Sequence, residues 1–187
     1  MADTFQTIID TGVRPGEADH LARHLVSFLA ERGVIAATPS EEGGYPRGPR
    51  ALEIAEAAPL RPAHEAIPPS YSHLQVMIGR ATHSKDMSEA RAPKAQCPKC
   101  GAEYPTDDPD ESWEAAVQGW LAGDDDSPLA CARCQVGAPV AGWNYHSEFG
   151  FGNLAFRFWN WPPFRESFLQ EIRNELGHPV AIVRGKL

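Results

Sequence analysis

The sequence predicts an α+β fold in which helices pack on one face of a sheet and a small metal-binding module interrupts the chain. Three observations support this prediction. Short runs rich in β-branched and aromatic residues alternate with segments whose apolar residues recur every three or four positions. All four cysteines fall in one central stretch. Glycine (16) and proline (17) are plentiful among 187 residues, which indicates long loops between the regular elements.

The amino-terminal part predicts one strand followed by one helix. Residues 5–9 are rich in β-branched side chains, which favour a strand. From residue 17 to residue 32 the apolar side chains form one stripe of a helix, and Gly33 stands where a carboxyl-terminal cap belongs. Residues 34–37 are a candidate for a second, short strand.

The next stretch, residues 38–72, has no clear hydrophobic period and is rich in glycine and proline. A short helix over residues 50–57 is the regular element that we expect there. The loop from Gly43 to Pro49 is either a surface connection or a binding loop on a rigid scaffold. It lacks the glycine and lysine pattern of a phosphate-binding loop.

The rest of the chain predicts three more strands and two more helices. Residues 74–80 and 153–159 favour strands, and residues 179–183 favour a closing strand. Residues 109–122 have a helical apolar stripe with acidic residues in the first turn, where the helix dipole favours them. Residues 164–176 carry the stripe of a last helix.

These elements predict a two-layer arrangement of ferredoxin-like character. Right-handed crossovers would place the first and last helices on the same side of the sheet. Residues 1–92 and 147–187 would form one discontinuous α+β domain, and residues 93–146 would be a zinc-binding insert.

The cysteines form two Cys-x-x-Cys pairs, Cys97 with Cys100 and Cys131 with Cys134. Such a turn lets two thiolates point at one ion, and two turns supply the four soft ligands of a tetrahedral zinc site. The pairs are separated by 30 residues, and the predicted intervening helix accounts for this long spacing. We therefore expect one structural zinc ion per chain, because four cysteine ligands leave no open position for catalysis.

Three other uses of the cysteines are open. Disulfides are disfavoured because the amino terminus lacks the basic start and apolar run of a signal peptide, so we expect a cytoplasmic protein. A redox pair would need one Cys-x-x-Cys motif at a strand-to-helix turn rather than two matched pairs. An iron–sulfur cluster also takes four thiolates.

The segment from Cys97-Pro98-Lys99-Cys100-Gly101 to Cys134 resembles the zinc ribbons. The resemblance is confined to residues 97–134 and identifies no family for the whole chain. Zinc ribbons serve in transcription, RNA handling, protein interaction and scaffolding, so the resemblance implies the metal and leaves the function open.

The net charge of −8 is concentrated in the predicted insert. Residues 93–146 contain three lysine or arginine residues and nine aspartate or glutamate residues, which leaves a charge of −6. Binding to a phosphate backbone depends on basic side chains that displace counterions. Nucleic acid is therefore a disfavoured partner, and a basic protein suits the charge. No apolar run is long enough to span a bilayer, so we expect no membrane association.

The candidate partner-binding residues are aromatic and acidic. Trp159 and Trp161 end an aromatic run that can serve in core packing, in a protein interface or as a stacking platform for bases. Asp124, Asp125 and Asp126 form an acidic group just after the helix predicted over residues 109–122.

The candidate catalytic residues are few. His20 and His24 lie one helical turn apart and can chelate a metal, but they lie opposite the apolar stripe, as solvated residues do. His146 is a candidate for a ligand or for a hydrogen bond to a sulfur. No catalytic motif is evident, so we assign no catalytic residue.

The leading hypothesis is a small, zinc-stabilised, non-enzymatic protein that acts through protein–protein contact, as an adaptor, an inhibitor or an immunity-type protein. The first alternative is a zinc-ribbon protein that binds nucleic acid. The second is an enzyme with a site between the Gly43 to Pro49 loop and the sheet. The sequence does not determine the oligomeric state.

Overall fold

The structure is a computed structural model, and it describes residues 3–41, 43–56, 71–85, 93–104 and 111–187. The strands are β1 (Thr4–Asp10), β2 (Tyr45–Pro46), β3 (His73–Ser84), β4 (Pro128–Ala130), β5 (Gly137–Pro139), β6 (Phe149–Trp159) and β7 (Val180–Lys186). The helices are α1 (Pro15–Glu31), α2 (Glu111–Leu121) and α3 (Glu166–Leu176), and 3-10 turns cover Ala51–Ile54 and Val140–Gly142.

The helices α1 and α3 form because each has one apolar stripe and a clear start or stop. Proline opens α1, where its fixed φ suits the first turn and its missing N–H would have no partner. Gly177 ends α3 with a φ of 71°, a left-handed cap that glycine adopts at low cost. The buried residues of the two stripes are Ala18, Ala22, Leu25 and Leu29 in α1, and Phe168, Leu169, Ile172 and Leu176 in α3.

Five strands form one sheet in the order β2-β3-β6-β1-β7, and β4 and β5 form a separate hairpin. Each of the pairings described within the sheet is antiparallel. The central strand β1 is paired along its length, with Ile8 opposite Phe156 on β6 and opposite Ile182 on β7. The long strands β3 and β6 flank the cysteine-bearing segment in the sequence and connect it to the sheet.

The main hydrophobic core lies between the sheet and the helices α1 and α3. Sheet residues Ile8, Leu74, Phe156 and Phe158 are fully buried in it beside the two helical stripes. Both helices therefore cover the same face of the sheet. We call this cluster the body core.

The paired strands β3 and β6, which we call the ribbon, bend over the opposite face of the sheet and cover it. A register shift interrupts β3 between Ile78 and Ala81. Beyond it, the ribbon approaches so closely that a Cβ on Gly150 would lie 2.5 Å from the Ile9 side chain. The carbonyl oxygen of Lys85 would lie 2.1 Å from a Cβ on Gly185 of β7. Glycine at positions 150 and 185 therefore allows the ribbon to lie this close to the sheet.

Buried polar residues lie beneath this bend. Arg157 donates from Nε to Thr7 Oγ1 at 3.0 Å, and its guanidinium carbon lies 4.6 Å from the Phe5 ring centroid. His83 is also buried. Burial, and secondarily the charge of Arg157, lowers the pKa of His83 to about 4, so this imidazole is neutral at pH 7.

The structure differs from the sequence predictions at the short elements. Residues 34–37 form no strand, and Ile35 makes only an isolated bridge with Arg47. The edge strand β2 comes instead from the predicted loop between Gly43 and Pro49. The helix predicted over residues 50–57 is a single 3-10 turn within the described residues. The hairpin β4–β5 was not predicted, because its strands are three residues long.

Candidate metal centre

The two cysteine pairs adopt the same backbone turn. In the first, Cys97 donates its N–H to Ala102 O at 2.9 Å and accepts at its carbonyl from Gly101 N at 2.9 Å. In the second, Cys131 N donates to Val136 O at 3.1 Å and Cys131 O accepts from Gln135 N at 2.9 Å. Each turn thus repeats the same two backbone hydrogen bonds around its first cysteine.

Each turn closes through a residue with a left-handed backbone. Gly101 has a φ of 70°, and Gln135 in the equivalent place has a φ of 59°. The side chain of Gln135 supports its less favourable conformation, because Nε2 donates to Ala132 O at 2.7 Å. The left-handed residue turns the chain back so that both cysteines of a pair face the same point.

The four sulfurs converge as a metal site requires. The ligand atoms of Cys97, Cys100, Cys131 and Cys134 all lie within 4.8 Å of one another. The Sγ atoms of Cys97 and Cys134 are 3.9 Å apart, and those of Cys100 and Cys131 are 3.6 Å apart. A zinc tetrahedron with bonds of about 2.3 Å has edges of about 3.8 Å. The four cysteines therefore fit a tetrahedral metal ion.

The turns also provide N–H groups that favour thiolates. The backbone N–H of Lys99 lies 3.4 Å from the sulfur of Cys97. Hydrogen bonds from the N–H groups of Cys134 and then Arg133 lower the pKa of Cys131 to about 6. Without a metal, the pKa of Cys100 is about 11. The N–H of Ala102 lowers it, but burial and the neighbouring sulfurs outweigh that effect and raise it. A bound cation would favour the thiolate form of the cysteines and release their protons.

The metal site lies at the edge of a second hydrophobic cluster, which we call the module core. Its members are buried side chains on and around the hairpin β4–β5 and helix α2. They are Ala95, Cys97, Tyr104, Ala116, Val117, Trp120, Leu129, Cys131, Ala138, Val140, Trp143, Tyr145 and Phe151. Two of the four candidate ligands, Cys97 and Cys131, are therefore part of this core. The candidate metal site and the hydrophobic cluster therefore share these two side chains.

One arginine fastens the module core to the sheet. Arg80, next to the register shift in β3, donates from Nη1 to the carbonyl oxygen of Trp120 at 2.7 Å. Its guanidinium carbon lies 4.3 Å from the Trp120 ring centroid. Its Nη2 donates to Asp125 Oδ1 at 2.5 Å, but that carboxylate is 77% exposed. The contacts to the carboxyl-terminal end of α2 are the better shielded ones.

The first part of β6 continues the attachment through aromatic rings. Phe151 packs edge-on against Trp120 with ring centroids 5.0 Å apart, and Phe149 packs similarly against Trp113 at 5.6 Å. Further along the strand, Phe156 and Phe158 point into the body core. The aromatic run of the sequence therefore joins two different cores.

The predicted partner-binding residues have different environments. Asp124, Asp125 and Asp126 are exposed beyond α2. Trp159 is partly exposed, and its Nε1 donates to Gln75 Oε1 at 3.1 Å. Trp161 is 3% exposed and belongs to the body core.

Within the described residues, no histidine joins the group of four cysteines. His24 Nε2 lies 2.9 Å from Glu175 Oε2, so this residue joins α1 to α3. His20 is exposed, and His146 lies on an exposed turn. Another histidine contact had no signal in the sequence, since His178 Nδ1 lies 3.0 Å from Oδ2 of the buried Asp10.

A cavity of about 410 Å³ lies at the junction of the cysteine-bearing segment and the body, and we call it the junction cavity. Residues 141–147 form one wall, and Thr11, Arg173 and the start of β7 form the other. Its residues are far apart in the sequence and share no motif, so sequence reasoning could not find it. It lies apart from the Gly43 to Pro49 segment, whose residues Tyr45 and Pro46 pair with β3.

Comparison with protein-family models, with curated proteins and with solved structures finds no match to this chain. Within the described residues, none of the helices combines the length and apolar character needed to cross a bilayer. The structure shows an α+β protein with a largely antiparallel five-stranded sheet, three helices in the described residues, and four cysteines that can hold a metal ion.

Proposed function

We propose that the four cysteines bind one zinc ion per chain and that this zinc is structural. The all-thiolate ligand set and sulfur separations near 3.8 Å suit zinc. Four protein ligands fill the coordination sphere, so the ion would hold no reactive water. Its role would be to fix the small module core in place. Four thiols kept for a metal suit a reducing compartment, and we propose a cytoplasmic location.

We infer further that the sheet with α1 and α3 is of ferredoxin-like type. The strand order β3-β6-β1-β7 and the two strand–helix–strand units, β1-α1-β3 and β6-α3-β7, support this proposal. The cysteine-bearing segment would then be an insertion in the connection between the two units, as expected for residues 93–146. Residues 1–92 and 147–187 would be the surrounding domain.

We propose that the protein acts through contact with a basic protein partner, as an adaptor, an inhibitor or an immunity-type protein. The observation that carries this proposal is the exposure of acidic side chains around the module. In the described part of residues 93–146 all six acidic residues are exposed, and they outnumber three exposed basic residues. They are Glu103, Glu111, Glu114, Asp124, Asp125 and Asp126, whereas Asp107, Asp108 and Asp110 lie outside the described residues. Such a surface would accelerate association with a basic partner.

The test is a pull-down at low salt, with the captured basic protein then purified and its affinity measured by calorimetry at two ionic strengths. The double variant Asp124→Asn/Asp126→Asn should weaken binding about tenfold at low salt. Asparagine retains the acceptor that Asp124 offers to the N–H of Asp126, so the turn should persist. The matched control Glu17→Gln/Glu31→Gln removes two exposed charges from α1 and should bind like wild type. An affinity that neither salt nor the aspartate variant changes would contradict the proposal.

Nucleic-acid binding is the less favoured alternative, because the exposed charge of the module is negative. Micromolar binding of labelled RNA or DNA with a steep salt dependence would favour it over the protein-contact proposal. The enzyme alternative at the Gly43 to Pro49 loop has no supporting geometry in the described residues, since part of that loop is a strand at the sheet edge.

A further inference from the structure

We propose that the junction cavity is a binding site for a small planar organic anion, such as an aromatic carboxylate. This proposal is independent of any protein partner. The volume of about 410 Å³ falls in the range of small-molecule pockets and would hold one substituted aromatic ring. The cavity is formed by two parts of the fold, so a ligand there would contact both.

Aromatic residues of the lining favour a planar ligand. Trp143, Tyr145, Phe149 and Phe151 all line the cavity. Tyr145 is tilted against both phenylalanines, with ring centroids 5.5 and 5.6 Å apart. Flat aromatic surfaces gain most from a ring that packs against them face to face with an offset, or edge to face. A flat ligand would extend the aromatic packing that the lining already has.

The charge of the lining favours an anion. Among the described lining residues, Arg173 is the one lysine or arginine side chain. None of these residues carries a carboxylate. This is unusual in a chain of net charge −8. Arg173 donates from Nη1 to Glu166 Oε1 at 2.7 Å, but Glu166 is 75% exposed and therefore well screened by water. A carboxylate in the cavity can form a charge-assisted hydrogen bond to the same guanidinium.

One tryptophan and several polar residues complete the lining. Trp143 is 4% exposed, and its indole N–H has no hydrogen-bond partner among the described residues. The indole nitrogen is itself buried, so it serves as a reporter of the lining rather than as a contact to the ligand. Thr11, Asn144 and Ser147 add further polar groups to the lining.

The wall of the cavity is held in a strained but fixed conformation. His146 and Ser147 have φ values of 49° and 64°, which are uncommon for residues other than glycine. The N–H of His146 donates to Asn144 Oδ1 at 3.1 Å. The backbone of Asn144 pairs in both directions with Gln96, the residue before Cys97. The metal site therefore supports this wall, and strained backbone commonly occurs at binding sites.

The test uses benzoate with the metal-loaded full chain, followed by the indole N–H resonances of the five tryptophans in ¹H–¹⁵N NMR spectra. The Trp143 resonance, assigned from Trp143→Phe, should shift and saturate with benzoate up to about 10 mM, where a millimolar ligand approaches saturation. The Trp161 resonance, from the body core, should stay in place. Benzamide and benzylamine, the neutral and cationic analogues, should bind at least about tenfold more weakly.

Three variants localise the site. Arg173→Gln should weaken benzoate binding about tenfold, because it removes the charged donor. Glu166→Gln leaves Arg173 without its competing carboxylate and should bind benzoate as tightly as wild type or more tightly. Ala141→Trp places a large ring at an exposed lining position and should abolish the shift without altering a core.

The proposal is overturned if Trp143 shows no saturable shift, if benzylamine binds as well as benzoate, or if Arg173→Gln has no effect in a protein with an otherwise unchanged spectrum. A shift that survives Ala141→Trp would also overturn it, because the ligand would then bind elsewhere.

Discussion

The body core and the module core are stabilised in different ways. The body core buries large aliphatic and aromatic residues from two helices and the sheet, and within the described residues it contains no cysteine. The module core is smaller, is built on one helix and a hairpin with three-residue strands, and includes two of the candidate metal ligands among its buried residues. Small units bury too little apolar surface to offset their conformational entropy, so they need a metal or disulfide. The comparison indicates that metal removal should affect one core far more than the other.

Metal loss should have the largest effect. Cys131→Ser or exhaustive chelation should unfold the module core, because a structural zinc contributes about 10 kcal/mol or more to small zinc units. In ¹H–¹⁵N spectra the indole resonances of Trp113 and Trp120 should move to unfolded positions, while that of Trp161 keeps its dispersion. Lys99→Ala is the control, since only its backbone N–H contacts a sulfur. Native Trp120 resonances in a metal-free protein would refute the distinction between the cores.

A substitution that leaves a void in the body core should destabilise the body core and leave the metal site intact. Phe156 is fully buried, so Phe156→Ala should lower the free energy of unfolding by about 3–5 kcal/mol, measured by urea denaturation. The metal content of the native protein should not change. Ile78→Ala, on the neighbouring strand but 51% exposed, should cost less than about 1 kcal/mol. A loss of bound metal in native Phe156→Ala would mean that the two cores are not separable.

Acid should weaken the region beneath the bent ribbon. The pKa of His83 is about 4 in the folded protein and about 6.5 when exposed, so the unfolded chain takes up a proton first as the pH falls. This pKa difference contributes up to about 3 kcal/mol to the free energy of unfolding. The contribution is present above pH 6.5 and is lost as the pH falls towards 4. Urea unfolding at several pH values measures this slope. His83→Gln should flatten it, and an unchanged slope would assign the effect to other groups.

The junction between the cores should respond more weakly to mutation. Arg80→Gln removes the donor to Trp120 O and the cation over the Trp120 ring, and should cost about 1–3 kcal/mol. Asp125→Asn removes only the exposed ion pair and should cost less than about 1 kcal/mol. Thermal unfolding of both variants gives the comparison. Equal effects would show that the surface pair, rather than the contacts at the end of α2, attaches the module core.

Long elements with a strong period were predictable from the sequence. Residues 17–32 and 164–176 carry complete apolar stripes, and the structure confirms both helices as α1 and α3 within two residues at each end. The strand predicted over residues 153–159 is also present, but β6 begins at Phe149. Glycines at positions 150 and 152 weakened the strand signal there, and the close approach of both to Ile9 explains them.

The short strands could not be predicted in the same way. Tyr45 and Pro46 have no strand pattern of their own and pair because β3 offers them a free edge. Val34 and Ile35 have a strong strand propensity, yet both are buried in the body core without a strand partner along their length. In both cases the tertiary contacts outweighed local propensity.

The sequence alone determined the candidate metal ligands, since two Cys-x-x-Cys turns bring each pair of sulfurs together by local geometry, with a left-handed residue after each pair. It also determined the two amphipathic helices, because their period is intrinsic. Only the tertiary structure decided that Trp161 is buried, that Arg80 reaches α2, and that residues 141–147 and Arg173 enclose a cavity. Such contacts join residues that are distant in the chain, and no local pattern encodes which distant partner a side chain will meet.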